Sequence, residues 1–252
     1  MTTYRRNAKI CSVCGAESIH HVLQSTNTFG DGPDLDGRPG EMMRSTMGMW
    51  VQECPVCGVV ACDLEEDGPV TAQWLKQKSY RTCDGIQFAS DLAKRFYRYY
   101  KILDFEGDHE ASFHQVLCAA WACDDVGDKE NAQHCRLLAL EALDKIKQLM
   151  EEWKCAEDLW LVKVDLLRRT GQFEKAIELS DSISLSDDFL NGLLWFEADL
   201  ARKKDSACYC ADDVPDLRKE SSCERVPEGA VISAEEWTEF LGKCFESGNV
   251  ED

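Results

Sequence analysis

The sequence predicts a mainly α protein with a small cysteine-rich β module at its N-terminus and helical hairpins after it. Three observations carry that prediction. Two Cys-x-x-Cys-Gly units stand at Cys11–Gly15 and Cys54–Gly58. Amphipathic patterns of helical period run through residues 70–205. Within that run, Asp165, Leu166 and Arg168 recur as Asp199, Leu200 and Arg202, an offset of 34 residues.

The first region, residues 1–66, is rich in Gly, Cys and turn formers. Ser18 to Gln24 and Met49 to Glu53 read as short strands beside the two cysteine units. Between them the density of Gly and Pro in 31–40 marks a loop, and Glu41 to Met47 reads as a short helical turn. Two residues between cysteines let both thiolates reach one ion, and the following Gly permits the tight backbone turn. Four thiolates at about 2.3 Å suit tetrahedral zinc. Cys11, Cys14, Cys54 and Cys57 are therefore the expected ligands of a structural Zn2+, closed to water. Soft thiolates suit iron as well, so a rubredoxin-like centre is the rival reading. The 39 residues between the units exceed the usual spacing of such sites. Doubling a loop costs only about 0.6 kcal/mol, against roughly 10–16 kcal/mol from structural zinc. Cys62 is a substitute ligand or, on the stronger reading, a buried thiol.

Residues 70–205 form the second region. Phe88, Leu92, Phe96 and Leu103 line one helical face, and Cys135, Leu138, Ala139, Ala142, Leu143, Ile146, Leu149 and Met150 line another. Leu159 to Leu167 is apolar nearly all round, as in a helix packed on two sides. Gly127–Ala132 and Gly171–Ala176 share Gly, Glu and Ala in register, and 34 residues is the tetratricopeptide period. About three imperfect tetratricopeptide-like hairpins follow. The third region, 206–252, is an acidic tail. Its one helical signal, at about 233–246, starts from a capping box at Ser233 and Glu236 and continues through Trp237, Phe240, Leu241 and Phe245.

Composition narrows the function. The net charge is -19, which argues against a phosphate-binding surface, since nucleic acid requires clustered Lys and Arg. The acid is concentrated late: residues 1–63 hold 5 basic and 7 acidic groups, and residues 151–252 hold 12 and 25. The polar start and the lack of any stretch of about 20 apolar residues predict a cytoplasmic protein, neither secreted nor membrane-bound. The 14 cysteines are then read as thiols and metal ligands rather than disulfides.

Pro33 to Thr46 followed by Trp50 to Gly58 resembles the signature of an uncharacterised bacterial family. There a four-cysteine zinc ribbon precedes tetratricopeptide-like helices. The similarity is most specific over residues 11–64 and looser to about 205. It implies a bacterial cytoplasmic protein of this two-part layout and brings no activity. Gly40 departs from it, standing where the family pattern has a second Pro.

Other motifs weigh less. Asp34, Asp36, Arg38 and Arg44 make the 27–47 excursion a candidate recognition loop. The same loop lacks the Asn or acid and the terminal Glu of an EF-hand. His109-Glu110 with His114 misses the zinc-protease spacing by one residue. Cys208, Cys210 and Cys223 form a weak second metal set, and Cys118, Cys123, Cys135 and Cys155 read as core thiols. The expected function is a zinc-binding scaffold that engages a protein or peptide partner. The alternative is an enzyme whose site lies between ribbon and helices, using Asp34, Asp36 and Arg38 with His20 or His21.

Overall fold

A computed structural model describes residues 2–27, 30–146, 156–185 and 187–215. The chain is mainly helical, with two small antiparallel strand pairs among the described residues. It forms two compact units: residues 1–27 with 42–146, and residues 28–41 with 147–252. The cut therefore falls inside the stretch read as one helical region, and the loop between the cysteine units sorts with the later helices. The helix expected near 233–246 and Cys223 lie outside the described residues, as does Cys155.

The first unit begins with a hairpin. β1 (Thr3–Ile10) pairs antiparallel with β2 (Glu17–Ser25), with Arg6 opposite His21 and Ala8 opposite Ile19. A helical turn, α1 (Glu41–Arg44), leads into β3 (Gln52–Glu53), which pairs with β4 (Val60–Ala61). After α2 (Lys78–Arg81) come three long helices, α3 (Asp91–Glu106), α4 (His109–Asp124) and α5 (Lys129–Lys145).

α4 packs against both α3 and α5. It buries every residue from Ser112 to Cys123, including His114 and the thiols of Cys118 and Cys123. That explains its weak sequence signal, since a helix without a solvent face shows no amphipathic stripe. Cys135 on α5 is equally buried. The two turns between these helices repeat one device. Gly107 and Gly127 take the left-handed conformation, and the next N–H reaches back five residues, Asp108 to Leu103 and Asp128 to Cys123. This is the Schellman closure. Asp108 and Asp128 then cap the following helix by accepting from Ala111 and Asn131. Two residues thus end one helix and begin the next.

The second unit holds α6 (Ala156–Arg169), α7 (Phe173–Ser182) and α8 (Asp188–Arg202). α6 and α7 join through the same closure, with left-handed Gly171 and Gln172 N–H bonded to the Leu167 carbonyl. Ala132 and Ala176, which follow the two aligned glycines, are both buried. The 34-residue alignment has a different outcome. Arg168 is fully buried and paired, while its counterpart Arg202 sits near the surface on Asp181.

Candidate metal centre

Cys11, Cys14, Cys54 and Cys57 converge, their four Sγ atoms all within 4.8 Å of one another. Each cysteine unit builds half of the site by the same local geometry. Gly15 donates its N–H to the Cys11 carbonyl at 2.8 Å, and Gly58 donates to the Cys54 carbonyl at 2.9 Å. Both glycines have positive φ, +71° and +76°, a conformation costing other L residues roughly 1–2 kcal/mol. The turns are locked from outside when Cys11 N–H bonds to the Ala16 carbonyl and Cys54 N–H to the Val59 carbonyl, each at 2.9 Å.

The sulfur spacing tests the fit to a metal. Cys11 and Cys57 sulfurs are 3.7 Å apart, and Cys14 and Cys54 sulfurs 3.6 Å. A disulfide requires about 2.05 Å. A regular tetrahedron with metal–sulfur bonds of about 2.3 Å has edges of about 3.8 Å. The thiols therefore stand at the spacing of ligands around one tetrahedral ion.

The surroundings already favour thiolate at one corner. Burial opposes ionisation of Cys54, but the backbone N–H groups of Cys57 and Val56 and the neighbouring thiols outweigh it and bring it down to about 7. Burial pushes Cys57 up, and the other three thiols push it further. Burial likewise raises Cys11 despite N–H donors at Cys14 and Val13. A divalent cation would relieve this opposition, because each ligand binds it as thiolate.

The centre is part of a core. Cys11 and Cys54 are 1% exposed and pack with Val59, Leu64, Val70, Leu75, Tyr80 and Ile102 of α3. Polar links fasten the same surfaces together. The Tyr80 hydroxyl donates to the Gly58 carbonyl at 2.6 Å. Arg98 of α3 pairs with Glu53 at 2.6 Å, and Lys9 of β1 reaches Asp63 and Glu65 at 2.6 and 2.9 Å. The cysteine module and α3 are thus one packed body rather than a ribbon tethered to helices.

Cys62 is half-buried and stands outside the four-sulfur group. Cys208 and Cys210 join no metal-binding cluster among the described residues. His20, half-buried, is lowered by burial and by nearby Arg95.

The candidate loop residues divide between the two units. Asp34, Asp36 and Arg38 belong to the second unit and are 7%, 1% and 5% exposed, whereas Arg44 belongs to the first. Asp34 accepts from Gly37 and donates to the Arg38 carbonyl, closing a tight turn. Asp36 pairs with Arg169 of α6 at 2.7 Å with both side chains buried. What the sequence missed here is the partner: Gly32 to Leu35 pairs with Tyr209 to Asp212 through backbone bonds and an Asp34–Cys210 bridge. No apolar pattern in either segment signals this pairing.

No family model, no curated protein and no solved structure matches this chain.

Proposed function

We propose that Cys11, Cys14, Cys54 and Cys57 hold one structural Zn2+ in a zinc-ribbon module, and that the protein is a non-catalytic interaction scaffold. The observation that carries the metal is the closed set of four sulfurs at tetrahedral spacing. A bound zinc supplies cross-linking energy and, with four thiolates, keeps no open position for water or substrate. Metal analysis of the purified full chain tests this. One zinc per chain is the expected result; bound iron, or no metal after purification without chelators, overturns it.

For the interaction role, the outer face of the β1–β2 hairpin is the better surface than the 28–41 loop, whose Asp34, Asp36 and Arg38 are buried. Tyr4, Ile10 and Ile19 are 58%, 57% and 62% exposed there, beside exposed Arg6 and His21. Apolar side chains alternating with polar ones on an unpaired two-stranded face suit an extended peptide. The helices, with their shared Gly-turn closures, fit tetratricopeptide-like stacking, and a bacterial cytoplasmic setting is proposed with them. A photo-crosslinker at position 19 should capture protein and lose it in the Tyr4→Ala background. Capture of nucleic acid alone, or of nothing, refutes the role.

A further inference from the structure

The second unit buries three charged groups at one point. Arg168 of α6 is fully buried, with Asp165 and Glu197 each 1% exposed. Its Nε donates to Glu197 Oε2 and its Nη2 to Asp165 Oδ1, both at 2.5 Å. Nη1 donates to the carbonyls of Asp205 and Ala207 at 2.9 and 2.7 Å.

Nε–H and one Nη2–H form a single edge of the guanidinium and point the same way. That fork ordinarily receives the two oxygens of one carboxylate. Here the two places are filled by oxygens from two different carboxyl groups, which brings those groups as close as neighbouring carboxylates come. Like charges about 3 Å apart in a dry site do not both ionise. The remaining oxygens agree: Asp165 Oδ2 and Glu197 Oε1 are both buried and find no donor. Guanidinium does not lose its proton, so two carboxylates would leave one uncompensated buried negative charge.

The geometry points to one proton shared between Asp165 and Glu197, making a neutral buried site with Arg168 that latches the 205–211 segment to α6. The proton lets one carboxyl group donate to the other and cancels the excess charge. Burial, and then the charge of Asp165, hold Glu197 well above the usual carboxylate range. The other ionisable groups around the site are Asp205, Cys208 and Tyr209 on that segment and, beyond Cys208, Asp34 and Asp36 with the Arg169 partner of Asp36. Asp205 is bonded to Ala207 N–H and Tyr209 Oη, and Tyr209 lies under the Arg168 guanidinium at 5.6 Å. The segment held in this way pairs with Gly32 to Leu35, so the proton supports that stretch as well.

Two readouts test the site on the full chain. In the infrared, wild type at neutral pH should show a protonated-carboxyl band that shifts in deuterium oxide and disappears in both Glu197→Gln and Asp165→Asn. Glu197→Gln keeps an acceptor for Arg168 and gives Asp165 an N–H donor, so it retains the fold without the proton. The second readout is exchange at the Leu35 and Ala211 amides, which donate across the pairing. The folded site binds a proton that the opened one releases at about 4.3. Its stabilisation is therefore complete below that value and is lost as pH rises toward the folded pKa. Opening should grow about tenfold per pH unit in that window, relative to Glu197→Gln, which should lack this dependence. Identical carboxyl spectra in wild type and both variants, or a pH-independent ratio of opening between wild type and Glu197→Gln, would overturn the shared proton.

Discussion

Replacing Cys54 by Ser removes one ligand of the proposed zinc and should remove the metal with it. Structural zinc supplies roughly 10–16 kcal/mol, whereas a domain's whole stability is about 5–15 kcal/mol. Losing most of the metal's contribution is therefore enough to melt the cysteine module. The structure says where the melting spreads. Cys11 and Cys54 sit in one cluster with Leu64, Leu75, Tyr80 and Ile102, so the second turn, β3–β4 and the facing side of α3 lose their packing. α4 and α5 keep their mutual contacts and should stay helical. Native mass spectrometry gives the metal count, and hydrogen exchange gives the extent. The amides of Ser12, Gly15 and Gly58 should lose protection, while those in the middle of α4 retain it. Cys62→Ser serves as the control and should hold metal like the wild type. The reasoning fails if Cys54→Ser keeps one equivalent of metal at undiminished affinity, or if the metal-free protein protects those three amides as before.

Gly58→Ala should cost roughly 1–2 kcal/mol, because its φ of +76° strains any Cβ; urea unfolding of the metal-loaded protein measures it. Tyr80→Phe removes the hydroxyl bond to the Gly58 carbonyl and should cost about 1 kcal/mol, again read by urea unfolding. Ile102→Ala opens a cavity beside the metal core and should cost about 2–5 kcal/mol, with faster zinc transfer to a chelator. Arg169→Ala removes the ion-pair partner of the buried Asp36 carboxylate and should destabilise the second unit by about 3–5 kcal/mol. Thermal unfolding of Arg169→Ala should improve when Asp36→Asn is added, and no recovery in the double variant would refute the pairing.

The four clustered cysteines were legible because their chemistry is local. Cys-x-x-Cys-Gly specifies a turn within five residues, and two copies specify a site without knowledge of what lies between. The Gly127 and Gly171 turns were legible for the same reason, since a left-handed closure needs only the residues that form it. β2 was visible through its own composition. β1 was not, because Arg5, Arg6 and Asn7 interrupt the apolar residues of Thr3 to Ile10, and its extended form comes from pairing with β2. α4 was weakly marked because burial on every side erases the helical period.

Sequence thus determined the four thiols, the turns that aim them and the helical character of the middle of the chain. Tertiary structure alone decided that the cysteine module shares its core with α3, and that residues 28–41 join the later helices. It also decided the fate of matched residues. Arg168 and Arg202 occupy equivalent places in the 34-residue offset, yet one is sealed between two carboxyl groups and the other pairs with Asp181 at the surface. Periodicity fixes which face a residue takes on its own helix. What covers that face depends on segments far away in the chain, here Asp205 to Asp212 and Gly32 to Leu35, whose pairing is made mainly by backbone groups that every residue possesses.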